Sequence, residues 1–176
     1  DWEPRLTMVT HDLSAPISSL TAAKIGKIDY IINLASLSDV EASIVDPVPF
    51  IQNNVALMVN MLELARDIKP DVFIQISTDE VYGVMRENEP HKEWDTIMPS
   101  NPYAASKAAQ EAICVSYWRT FGVPVIITNT VNNFGEYQQA SKFPVIVQKK
   151  VAKDEVVPIH GKEGEQRRQD QRRDHD

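Results

Sequence analysis

Cysteine occurs once in the 176 residues, so no disulfide can form within the chain. Cys114 follows a helix-favouring run and reads better as a small buried hydrophobe than as a nucleophile. Its isolation is consistent with a reducing, cytoplasmic setting. Positive charge is also short, with 18 Lys and Arg against 25 Asp and Glu and a net charge of −7. That balance argues against nucleic acid or a membrane surface as the primary partner. No apolar run reaches the length needed to span a bilayer, and the opening residues show no signal-sequence pattern. His91, His160 and His175 lack metal-ligand spacing, and His11 reads as the companion of Asp12 at a strand end, so no metal site is expected. Glycine is scarce too: there are six, the first is Gly26, and none forms Gly-x-Gly-x-x-Gly. The loop that brings backbone close to a pyrophosphate at a helix N-terminus is therefore missing.

What remains is ordinary for a globular domain: 43% hydrophobic and 24% charged residues, enough for one sizeable core. Strands are predicted at Leu6–Val9, Tyr30–Leu34, Val72–Ser77 and Val123–Asn129, with a short one around Val156–Ile159. Helices are predicted over Pro49–Asp67, Asn101–Phe121 and Phe143–Ala152, with Lys69-Pro70 and Gly122 closing the first two. Alternation of buried strands and helices predicts an α/β fold with a parallel, doubly wound sheet. Arg86–Pro99 is a charged, proline-containing loop, and Trp94 is expected to anchor it rather than to act as a lid.

The chemistry concentrates in two places. Tyr103 and Lys107 stand four residues apart on a predicted helix that has Asn101 as its cap and Pro102 in its first turn. They therefore share a face. A lysine ammonium beside a phenol favours the phenolate, which could take a proton from a hydroxyl while a hydride leaves the same carbon. Thr78, Asp79 and Glu80 follow the run Val72–Ser77, at the strand end where open α/β sheets place their ligands. Alone, each feature has a plain alternative. Tyr103 and Lys107 could be a half-buried tyrosine beside a solvated lysine, and Asp79 and Glu80 could be loop carboxylates.

Together, Ser77-Thr78-Asp79-Glu80-Val81-Tyr82-Gly83 and Asn101-Pro102-Tyr103-Ala104-Ala105-Ser106-Lys107-Ala108 resemble the extended short-chain dehydrogenase/reductases, the NAD-dependent epimerase/dehydratase family. Within it the chain is most similar to the nucleotide-sugar 4,6-dehydratases that act on dTDP-glucose. The resemblance implies a Rossmann-like domain over 1–161, here lacking the N-terminal glycine-rich βαβ unit and so incomplete at both ends. It implies NAD as cofactor, with Asp12 and Leu13 at the adenine and Leu34, Ala35 and Ser36 beside the nicotinamide half. Asn54, Ser77, Tyr103, Lys107 and Asn129 are also implied on the cofactor side. Thr78, Asn132, Asn133, Lys142, Phe143, Pro158 and His160 are implied on the side of the nucleotide-sugar substrate. In the implied mechanism Tyr103, with Lys107 and Thr78, oxidises C4 of the sugar. Glu80 then removes the C5 proton and Asp79 protonates the departing C6 hydroxyl, giving a 4-keto-6-deoxy sugar. Two adjacent carboxylates with opposite proton roles need environments that separate their pKa values. A homodimer is implied as well.

Asp79 separates this reading from its rivals, because sugar 4-epimerases eliminate no water and UDP-glucuronate decarboxylases typically carry Ser-Glu here. Leu57 and Met58 stand where the family has glycine and threonine, Ser36 replaces an alanine, Glu136 replaces a proline, and the Lys142 segment is one residue short. Missing flanks are expected, making this an internal portion of a longer protein. A truncated, non-catalytic module for dimerisation or nucleotide-sugar binding explains the absent glycine loop but not the assembled site residues. Lys162–Asp176 has no apolar residue besides glycine and balances its charges, so it is expected to be a polar, disordered tail outside the family pattern.

Overall fold

Runs rich in β-branched residues set the sheet. In the computed structural model, which describes residues 5–84 and 89–157 fully and 158–160 and 166–168 as backbone, three strands pair in parallel. They are β1 (Tyr30–Asn33), β2 (Val72–Thr78) and β3 (Val125–Thr130), in the order β1-β2-β3. Ile32 lies opposite Ile74, and Ile74 opposite Ile126, while Asn33 faces Gln75. Parallel neighbours need crossover connections. Helices α2 (Val40–Val45) and α3 (Pro47–Ile68) link β1 to β2, and α4 (Pro102–Phe121) links β2 to β3. The Asn101 side chain accepts from the Ala104 amide at 2.8 Å and Pro102 follows it, so α4 starts where those residue types favour a start. Lys69 and Gly122 end α3 and α4 in left-handed conformations, with φ of 52° and 72°.

Helices α3 and α4 pack on each other, and α4 lies against β2 and β3. Met58, Leu62, Phe73 and Cys114 are fully buried between these layers, with Ile31 and Val123 at the margin. Burying each large side chain contributes about 2 kcal/mol. Leu57 and Met58, expected to depart from the family pattern, are both buried, Met58 within this cluster. Cys114 sits there as a small hydrophobe, its thiol pushed up to about 12 by burial.

A chain of amides crosses the same layers. Asn33 donates to Gln75 at 2.7 Å, Gln75 to Gln110 at 3.0 Å, and Gln110 to the Asn54 carbonyl at 2.8 Å. Asn54 in turn donates to the Ser106 hydroxyl at 2.8 Å. All five residues are buried. The Asn54 amide also clamps the loop after β1, accepting from the Leu37 amide at 2.8 Å and donating to the Leu37 carbonyl at 3.0 Å.

Strand β2 runs directly into a 3-10 turn, Asp79–Tyr82, which Gly83 ends at φ 81°. A Cβ on Gly83 would lie 2.2 Å from the Met98 carbonyl oxygen. The Met98 amide donates to the Val81 carbonyl at 2.9 Å, so two backbones meet here with no room between them. Tyr82 holds the loop that follows, stacking on His91 at 5.4 Å and donating to the Glu93 carbonyl at 3.3 Å. Trp94, expected to be the anchor, is 77% exposed, with the Lys92 ammonium 5.9 Å from its ring centre. Tyr82 is the better anchor, being buried and in contact with both His91 and Glu93 of the loop.

Other expectations also differ from the structure. Leu6–Val9 forms no strand. A strand needs a ladder partner, and β1 presents its free edge across an apolar groove of about 430 Å³ lined by Val9, Leu13, Ile25 and Ile32. Two short helices went unpredicted, α1 (Ser19–Ile25), capped by Ser18, and α2, capped by Asp39. On the sheet, Tyr30, Ile32 and Ile126 point away from the α3–α4 face and remain 64%, 57% and 50% exposed.

The chain divides into two units, Asp1–Val131 and Asn132–Asp176. The second holds α5 (Phe143–Val151) and a two-stranded antiparallel pair, β4 (Pro158–His160) with β5 (Gln166–Arg168). The polar-tail expectation for Lys162–Asp176 falls mostly outside the described residues.

Two substitutions test this framework by urea unfolding of the intact protein. Gln75→Leu strands the Asn33 and Gln110 amides and should cost about 3 kcal/mol. Gly83→Ala must displace the Met98 backbone and hold a strained φ, so it should cost at least about 2 kcal/mol.

Candidate active site

The site lies at the carboxyl ends of the parallel strands, where β2 delivers Thr78, Asp79 and Glu80 and α4 delivers Tyr103 and Lys107. Thr78 caps the 3-10 turn: its hydroxyl accepts from the Glu80 amide and donates to the Asp79 carboxylate, both at 3.3 Å. Glu80 points elsewhere, accepting from the Asn101 side chain at 2.9 Å. The two neighbouring carboxylates thus have different partners. Asn101 serves two purposes, capping α4 through its oxygen and holding Glu80 through its nitrogen. Ser43 of α2 fixes the other side, accepting from the Tyr103 amide at 3.2 Å.

Tyr103 is half-buried and Lys107 is 3% exposed, so the alternative of a solvated lysine fails. The electrostatics correct a second expectation. Burial raises the Tyr103 phenol above its ordinary value, the Glu80 and Asp79 anions raise it further, and only the Thr78 hydroxyl pulls it down. The Lys107 ammonium donates to the Ile76 carbonyl at 2.7 Å. Burial lowers Lys107 to about 8, opposed by the Glu111 carboxylate.

The residues expected on the cofactor side divide into two groups. Leu13, Leu34 and Ala35 line one groove beside β1. Asp12 is exposed, and its carboxylate is held below the usual range by the Ser14 hydroxyl and then the Ser14 amide, at 2.7 and 2.9 Å. Ser36 donates to the Leu37 carbonyl at 3.2 Å. Asn54, Ser77 and Asn129 are committed to the protein itself. Asn54 clamps Leu37, while the Ser77 hydroxyl and the Asn129 amide both donate to Glu111, the latter at 2.6 Å. The groove is lined mainly by apolar side chains, of the kind that pack against flat rings, and Asp12 and Ser36 each adjoin a lining residue in sequence.

Of the residues expected on the substrate side, only Thr78 lies in the first unit. Asn132 and Phe143 are exposed, the Asn133 carbonyl accepts from the Gln138 side chain at 2.9 Å, and Lys142 is the residue before α5. Pro158 and His160 lie in β4, and their side chains fall outside the described residues. Sequence reasoning missed Ser43, Gln110 and Glu111. Glu111 had one available signal, its position four residues after Lys107 on the same helical face. Among the described residues no group of three or more His, Cys, Asp or Glu could hold a metal, and no helix is long and apolar enough to cross a membrane.

Known proteins resemble this chain in sequence and fold. The chain is 40% identical over 134 residues to the low-salt glycan biosynthesis protein Agl12 of Haloferax volcanii, covering 76% of this chain and 43% of that one. It is 38% identical over 142 residues to a dTDP-glucose 4,6-dehydratase of Xanthomonas campestris, covering 76% and 40%. It therefore spans less than half the length of these relatives. Among solved structures, the dTDP-glucose 4,6-dehydratase DesIV of Streptomyces venezuelae, with NAD and TYD bound, superposes with a TM-score of 0.80 at 31% identity. That match covers 91% of this chain and 49% of DesIV. The model of the NAD dependent epimerase/dehydratase family matches residues 2–174, and the chain belongs to that family.

Proposed function

We propose that the protein carrying this chain is a nucleotide-sugar 4,6-dehydratase converting dTDP-glucose to dTDP-4-keto-6-deoxyglucose. The observation that carries the reading is that the turn after β2 holds two neighbouring carboxylates on different partners, Asp79 on the Thr78 hydroxyl and Glu80 on Asn101, the cap of the helix that carries Tyr103. A site that only oxidises and reduces one carbon has no use for two extra carboxylates beside its base. A site that also eliminates water needs one to take a proton and one to give it.

Each side chain then has a task. Tyr103 takes the C4 hydroxyl proton, with Lys107 and Thr78 as its neighbours. NAD, when bound, would supply the acceptor for the C4 hydride and return that hydride to C6. Leu13, Leu34 and Ala35 would hold it, flanked by Asp12 and Ser36, with the Leu37 loop steadied by Asn54. Once C4 is a ketone the C5 proton is acidic, and Glu80 removes it while Asp79 protonates the C6 hydroxyl as it leaves. Asn132, Asn133, Lys142, Phe143, Pro158 and His160 are assigned to the nucleotide-sugar, and the active protein is assigned as a homodimer. The relatives named for dTDP-glucose support that choice of nucleotide.

Full-length protein incubated with dTDP-glucose and NAD should yield the 4-keto-6-deoxy product. NAD binding without product would overturn the reading. Tyr103→Phe should lower kcat by about three orders of magnitude with KM little changed, measured as product formed per unit time. In deuterium oxide, Glu80→Gln should abolish solvent exchange at C5 and water loss together. Unchanged water loss would remove Glu80 from its assigned role.

A further inference from the structure

Glu111 is a carboxylate buried where three elements converge, and the mechanism above gives it nothing to do. It is 6% exposed on α4, one turn beyond Lys107 and two beyond Tyr103. Two donors from different strands meet it on one oxygen, the Ser77 hydroxyl from the end of β2 and the Asn129 amide from the end of β3, at 2.6 Å for the latter. Asn129 also donates to the Thr78 carbonyl at 3.4 Å. Glu111 therefore joins the ends of both strands directly beneath the turn that carries Thr78, Asp79 and Glu80.

We infer that Glu111 is a positioning residue that acts through Lys107, its anionic carboxylate keeping the buried ammonium charged while its hydrogen bonds fix the strand ends under Tyr103. The inference rests on Tyr103 and Lys107 being the oxidation pair. A buried ammonium with one carbonyl partner loses the solvation that keeps it protonated, and a nearby anion restores part of it. Glu111 opposes the fall of Lys107 to about 8, and Lys107 together with Ser77 and Asn129 opposes the rise that burial imposes on Glu111. Among other ionisable groups, Cys114 of α4 interacts with both Glu111 and Lys107, Tyr82 of the turn interacts with Glu111, and Glu80 and Asp79 interact with Tyr103. Helices α2 and α3 meet this part of α4 through Ser43 and Asn54, neither of which titrates.

A polar contact that merely fills space would work equally well without charge, and Glu111→Gln separates the two cases. In full-length protein labelled for lysine side-chain NMR, with the Lys107 signal assigned through Lys107→Arg, the glutamine variant should lower the Lys107 titration midpoint by about one unit. Its rate should fall off at correspondingly lower pH on the alkaline side, in kcat more than in KM, and Glu111→Asp should recover part of the loss. An unchanged Lys107 midpoint would overturn the inference. If the glutamine variant does not fold, the carboxyl carbon of Glu111 in the unaltered protein decides instead. It must be ionised at pH 7.5, where a protonated carboxyl would equally overturn the proposal. Since the titration needs no turnover, a protein that makes no 4-keto product yet shows the shift would sink the dehydratase reading alone.

Discussion

Buried amides that bond to one another and to nearby backbone hold this architecture in register. Gln75 sits in the middle of β2 among apolar neighbours, yet its oxygen accepts from Asn33 and its nitrogen donates to Gln110 and the Ile76 carbonyl. A misregistered strand or a rotated helix would leave several of these groups desolvated and unmatched, each at about 1–3 kcal/mol. Hydrophobic burial alone tolerates sliding, since Met58, Leu62 and Phe73 would find comparable contacts nearby. The amide chain does not. It sets β1 against β2, β2 against α4 and α4 against α3, and the rotation of α4 decides where Tyr103 and Lys107 point.

The two groups proposed for the oxidation step, Tyr103 and Lys107, are both shifted from their ordinary ionisation. The phenol is harder to ionise than a free tyrosine and the ammonium easier to discharge than a free lysine, and burial is the leading cause in both. A site built this way responds strongly to whatever charge enters it, because little water remains to screen the change. The carboxylates of Glu111, one turn beyond Lys107 on α4, and of Asp79 and Glu80, on the turn after β2, set a field around Tyr103 and Lys107. The fold supplies that field before any ligand arrives.

Much of this was legible in the sequence where chemistry is local. The Val72–Ser77 run marked β2, Asn101-Pro102 marked the start of α4, and the four-residue spacing placed Tyr103 and Lys107 together. Less was legible where a residue's meaning depends on a distant partner. Gln75 in an apolar strand reads as an outward-facing position until Asn33 and Gln110 are seen beside it. Lys107 reads as solvated until the Ile76 carbonyl is seen to receive it. Leu6–Val9 had the composition of a strand but no ladder to join, and composition does not encode a neighbour. The helices α1 and α2 were too short for periodicity to register, although Ser18 and Asp39 were ordinary caps.

The Asn54 clamp has a consequence for which changes the chain can accept. By donating to the Leu37 carbonyl and accepting from the Leu37 amide, the side chain imitates a peptide group in a β-ladder and lends helix α3 a single rung of sheet. Only a primary amide carries a donor and an acceptor in that fixed geometry. Asparagine has the reach, aspartate loses the donor, and glutamine overshoots by a methylene with Ser106 already behind it. The position is thus closed to drift in a way its burial alone would not reveal. By contrast, the loop it holds, exposed at Leu37 and Ser38, is free to vary in side chain so long as its backbone keeps the same path.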